Sequence, residues 1–192
     1  MKKSILRSAQ LVGFTAALFA FDLPTGWFRA GSKPNSYEMG VDKGSGQDGK
    51  NAATIKSIDQ KIEGFGTLMQ TCRPGKFAGK RIRMTAFVKS ENVTGLAGLW
   101  LRVDQANAER PLSFDNMSDR PIKGTTAWNR YQIVLDVPED AVLVAYGALL
   151  NGTGQIWFDS ITFEIVDANV PTTGNGGRIG PPNEPTNLDF EK

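Results

Sequence analysis

Polar and apolar residues alternate singly along most of this chain, the period of two that a strand with one buried face requires, and no internal stretch repeats at helical spacing. In "KRIRMTAFVKSE", Ile82, Met84, Ala86 and Val88 fall on one face and Arg81, Arg83, Thr85, Phe87 and Lys89 on the other. In "LAGLWLRVD", Ala97, Leu99, Leu101 and Val103 turn inward, and Gly98, Trp100, Arg102 and Asp104 turn outward. Strands are likewise expected at "GWFRAG", "SYEMGVD", "AATIKSI", "FGTLMQT", "PLSFDNM", "YQIVLDVP" and "AVLVAYGALLNG", and at "GQIWFDSITFEIV" after the turn residues Asn151 to Gly154. Glycine and proline separate these segments at short intervals. Many short strands joined by turns predict an all-β protein, a β-sandwich of the jelly-roll type over residues 21–168. From 169 to 192 the chain is rich in proline and glycine and poor in apolar residues, the composition of a flexible segment. It closes on a short strand-like stretch, "NLDFE", at 187–191.

Composition narrows the chemistry. In 192 residues there is no histidine, which removes the commonest general base and the commonest zinc ligand together. The single cysteine, Cys72, has no disulfide partner in the chain and no histidine to make it a nucleophile, so it reads as a small strand residue. Lys and Arg number 22 against 20 Asp and Glu, and the basic residues are scattered, so no nucleic-acid or membrane-surface footprint is indicated. Residues 1–20 run from three positive charges into an apolar stretch too short to span a bilayer. That is the order of a secretory signal, which would place the protein outside the cytoplasm, or of a buried N-terminal segment, which would leave it inside.

The acidic residues stand singly at strand ends or in turns rather than as a facing pair, so a carboxylate-pair hydrolase is not expected, and the chain reads as a non-enzyme. "GSGQDGK" at 44–50 lacks the glycine-lysine-serine spacing of a phosphate loop and reads as a hairpin loop. Binding fits better. Trp100, Arg102 and Asp104 share one outward strand face, and an aromatic ring beside a paired cation and carboxylate suits a sugar, the ring against its apolar face and the charges on its hydroxyls. The alternative is that Trp100 belongs to a second apolar layer. The polar-aromatic stretch 113–131 reads as a loop and adds Asp115, Trp128 and Arg130 as flanking ligand-binding candidates.

Five further stretches, "FDLPTGW", "DGKNAATIKS", "GKRIRMTAFVKSE", "WNRYQIVLDVPEDA" and "IWFDSITFEIV", together resemble the carbohydrate-binding modules with a jelly-roll, galactose-binding-like fold found in bacterial glycoside hydrolases. A closer resemblance, carried by "GFGTLMQ", "AGLWLRVD", "DNMSDRPIKGTTAWNRY" and "GTGQIWFDS", is to a bacterial family of undefined function, some of whose members are called transcriptional regulators. No helix-turn-helix pattern accompanies it here. The first resemblance implies non-catalytic carbohydrate binding and a structural calcium ion, held at the positions matching Asp22 and Asp159, with Asp22 where a glutamate is usual. The second implies an effector-sensing or protein-interaction domain. In modules of the first kind "NLDFE" opens the fold, so its copy at the C-terminus reads as the first strand of a further module.

Overall fold

The computed structural model describes residues 21–174. The expectations for the N-terminal segment 1–20 and for the strand at 187–191 lie outside the described residues.

Nine strands follow one another: β1 Phe28–Gly31, β2 Tyr37–Asp42, β3 Ala52–Ser57, β4 Phe65–Cys72, β5 Lys80–Gln105, β6 Ser113–Asp115, β7 Ile122–Val137, β8 Ala141–Asn151 and β9 Gln155–Val166. Every pairing between them is antiparallel. The fold is the jelly-roll β-sandwich expected, with one economy: the two segments "KRIRMTAFVKSE" and "LAGLWLRVD" are a single strand of 26 residues. Its first half pairs with β7 and β9, and its second half with β8 and β6. β5 therefore belongs to both layers, β7-β5-β9-β3-β2 and β1-β4-β8-β5-β6.

Register shifts between Val88 and Ala97, with Asn92 at φ 52°, mark where β5 bends from one layer to the other. A bulge adds a residue and sharpens the twist, which lets one strand turn a corner without losing its ladder. Because side chains alternate on both sides of the corner, the inward residues Ile82, Met84, Ala86 and Val88 and then Leu99, Leu101 and Val103 are all fully buried. They meet Ile133 and Leu135 of β7, Phe158 of β9, Ile55 of β3 and Leu150 of β8 in one core. Tyr37 is buried at one end of this core and donates its hydroxyl to the Gly152 carbonyl at 2.9 Å. Burial pushes its pKa up to about 12.

Two local expectations are corrected. The stretch 113–131 is not one loop: its second half is the start of β7, because Gly124, Thr126 and Asn129 sit in register with Val93, Ser90 and Val88 of β5. The segment after β9 is docked as far as Gly174. Arg81 donates Nη1 to the carbonyls of Ala168 (2.5 Å) and Val170 (2.7 Å), and Thr173 exchanges hydrogen bonds with the backbone of Val134 on β7. Composition alone does not reveal it, since edge-strand and arginine donors supply the order that apolar burial does not.

Candidate functional site

The outward face of the β1-β4-β8-β5-β6 layer holds a groove of about 590 Å³, whose lining includes Trp100, Arg102 and Asp104. Register explains how they come together. Trp100 stands opposite Gly147 of β8, Arg102 opposite Ala145, and Asp104 opposite Leu143. β8 in turn sets Leu149 beside Thr67, and Ala145 beside Thr71, of β4. Leu96, Phe65 and Met69 close the apolar floor, and Phe114 of β6, in register with Arg102, forms a wall.

Trp100 is 9% exposed, and its Nε1–H donates to Thr67 Oγ1 at 2.8 Å. To reach β4 the indole crosses β8, where its register partner is Gly147 and carries no side chain. A Cβ at Gly147 would lie 2.3 Å from the Leu68 carbonyl, so the site accepts only glycine. Trp100 thus lines the floor of the groove and belongs to the second apolar layer with Ala145 and Leu149. The second apolar layer of the alternative reading is present, and it lines an open groove.

Arg102 and Asp104, two residues apart on one face, are joined by Nε to both carboxylate oxygens at 2.8 and 3.0 Å. Among the described residues no hydrogen bond engages the two terminal nitrogens of Arg102, whose side chain is 40% exposed. These nitrogens, with Asn116, Asn151 and the exposed Thr71 in the lining, are among the groove's polar groups available to a ligand.

The other three flanking candidates lie elsewhere. Asp115 alternates with Phe114 and Asn116, so while they line the groove its carboxylate points between the layers and is 1% exposed. It accepts from Arg120 Nη2 at 2.6 Å, from the Met117 N–H at 2.8 Å and from Thr173 Oγ1 at 2.6 Å. Against the desolvation that opposes it, hydrogen bonding to Asp115 raises the pKa of Arg120. Asp115 is therefore a structural carboxylate: buried charges persist only when paired and hydrogen-bonded, as here, and its oxygens are spent. Trp128 and Arg130 stand on the outward face of the other layer, at the register of Lys89 and Phe87.

The calcium expectation rests on Asp22 and Asp159. Asp22 is exposed and pairs through its backbone, accepting from the Val41 N–H at 2.8 Å. Both oxygens of Asp159 accept backbone N–H groups, from Ser160 at 2.6 Å and from Gln47 at 3.3 Å. Calcium takes six to eight oxygens. Among the described residues no three acidic, histidine or cysteine side chains converge on a common point.

Sequence reasoning did not single out Phe114, Phe65 and Thr67 as groove residues. Gly147, a glycine inside an apolar strand, signals a close backbone approach, which β4 makes at Leu68 and Met69.

No family model matches the chain. It is 45% identical over 168 residues to a Bacillus subtilis (strain 168) protein named as an uncharacterized HTH-type transcriptional regulator, YbfP. The match covers 87% of this chain and spans 57% of that protein's length. Among solved structures, the CBM22-1 xylan-binding domain of Paenibacillus barcinonensis Xyn10C is similar at a TM-score of 0.53 and 14% identity, over 78% of this chain and 92% of that domain. The enzymatically active domain of bacteriophage CBA120 tailspike protein 4 is similar at 0.54 and 11% identity, over 74% of this chain and 20% of the other. At these identities the structural likeness establishes the jelly-roll fold. Among the described residues no helix is long and apolar enough to cross a membrane.

Proposed function

We propose that this chain is a non-catalytic binding domain whose ligand is a carbohydrate held in the Trp100–Arg102–Asp104 groove. The observation that carries this reading is the groove's make-up. An apolar floor formed by Trp100, Leu149 and Ala145 suits the apolar face of a pyranose; beside it stand a guanidinium with unengaged donors, a carboxylate and the Asn116 amide, with the Asn151 amide at the far end next to Leu96. A volume of about 590 Å³ accommodates a few sugar rings. The similarity in fold to a xylan-binding domain supports the reading.

Glycan-array screening followed by calorimetry tests it. The best oligosaccharide is expected to bind the wild-type chain at one site, and Arg102→Ala is expected to weaken it about tenfold, the loss of one charge-assisted hydrogen bond. An array with no hit, or full affinity in Arg102→Ala, would sink the proposal.

The 45% identical relative, named as a regulator, favours a second reading in which the same groove holds a small effector. The two separate by ligand size. Affinity that climbs from mono- to trisaccharide supports a glycan-binding module; affinity complete with a single small molecule supports the sensor.

A further inference from the structure

We infer that the outward face of the β7-β5-β9 layer carries a second binding site, for a sugar bearing a carboxylate, built on Lys89, Trp157 and Trp128. It shares no residue with the groove, and it stands or falls independently of the groove's ligand.

The register puts these residues in one row. Lys89 of β5 pairs with Trp157 of β9, and Val88 with Asn129 of β7, which sets Trp128 beside Lys89 on its other side. The Lys89 ammonium lies 4.4 Å from the Trp157 ring centroid and 5.3 Å from that of Trp128, held between two indoles. Trp157 is fixed in turn, its Nε1–H donating to Asp42 Oδ2 at 2.6 Å. Earlier on the same strand face, Arg81 and Arg83 each meet a carboxylate, Asp136 and Glu164, at 2.7 Å. Lys89 departs from that pattern. Its one hydrogen bond among the described residues is a long one of 3.4 Å to the Ser45 carbonyl, and no described carboxylate lies within salt-bridge distance.

Next to this row opens a cavity of about 460 Å³, lined by Lys89 and Trp157 together with Asn92, Thr125, Thr126 and Glu91. The chemistry assembled is that of an acidic pyranose site: an indole for the C–H face of the ring, an unpaired ammonium for a carboxylate, and hydroxyl and amide groups for the ring hydroxyls. Glu91 at the rim accepts from a hydroxyl but repels a densely charged chain. The site therefore suits a uronate with one carboxylate per ring, and disfavours a heavily sulfated glycan.

The test is a titration of the full chain with galacturonate and glucuronate oligomers, with neutral galacto-oligosaccharides as controls, read by tryptophan fluorescence and calorimetry. One uronate series is expected to bind and to weaken as salt rises. Lys89→Gln should lower the affinity at least tenfold and Lys89→Arg should restore most of it, while Lys80→Gln, an exposed cation at the far end of the same strand, leaves it unchanged. Circular dichroism of each variant separates a lost site from a lost fold. Failure of both uronate series to bind the wild type, equal binding by Lys89→Gln, or an equal loss in Lys80→Gln would overturn the inference.

Discussion

The two halves of β5 face outward on two different layers, and they finish those surfaces in different ways. On the first half, Arg81 and Arg83 reach carboxylates on the neighbouring strands, Asp136 on β7 and Glu164 on β9. This is how a sheet ordinarily meets water. On the second half, beyond the bend, the outward positions are Gly98, Trp100, Arg102 and Asp104, and the neighbours are Leu149, Ala145 and Leu143 of β8. There an indole reaches across β8 to Thr67, a small second apolar layer forms outside the sandwich, and the remaining hollow is the groove. The difference teaches that a sheet face keeps a hollow where cross-strand ion pairs give way to an aromatic ring and small apolar neighbours.

Removing the floor should have the largest effect. Trp100→Ala deletes a ring that is nearly buried and leaves Thr67 Oγ1 without its donor, and is expected to cost about 3 kcal/mol in urea denaturation. Trp157→Ala, on the opposite layer and partly exposed, should cost only about 1 kcal/mol. Equal losses would mean that the two outer faces are built alike.

The groove wall offers the next break. Asp115→Ala strands Arg120 and releases Thr173, and should destabilise the fold by about 3 kcal/mol, the usual cost of removing one partner of a buried ion pair. Because β6 alternates, the same variant should also lower affinity for a groove ligand without Asp115 touching it, through Phe114 and Asn116.

That residue shows what was legible in the sequence and what was not. The period of two placed Leu99, Leu101 and Val103 inside and Trp100, Arg102 and Asp104 outside, and the jelly roll followed from the strand count. Periodicity fixes a face, but not what another strand lays against it. Hence Asp115, polar and in a polar stretch, reads as a ligand although it is buried by Arg120 and a segment arriving from 58 residues downstream. The fusion of two expected strands into β5 was hidden for a similar reason. The polar residues Glu91, Asn92 and Thr94 look like a loop, and the pairing of their neighbours to β7 and β9 keeps them in the strand.

A smaller effect is expected at the core both faces share. Tyr37 is raised to about 12 in the folded protein against about 10 when exposed, so the unfolded chain loses its proton first. The stability this group contributes is complete below pH 10 and is lost as pH rises from 10 towards 12. Tyr37→Phe should cost about 1 kcal/mol at neutral pH and flatten the alkaline limb of a stability-against-pH curve. An unchanged limb would contradict the burial argument. The smallest effect belongs to the water-facing pairs. A double-mutant cycle on Arg83 and Glu164, half exposed and screened by solvent, should return a coupling of about 0.5 kcal/mol, falling with salt.

The central claim, that the groove of the β1-β4-β8-β5-β6 layer is where this protein holds a carbohydrate, is tested most directly by amide chemical-shift mapping during titration with the best oligosaccharide from an array. The account predicts shifts concentrated at Leu96 to Asp104, Phe114 to Asn116 and Leu143 to Leu149. Shifts confined to the outer face around Lys89 and Trp157, or spread over the chain without a centre, would contradict it.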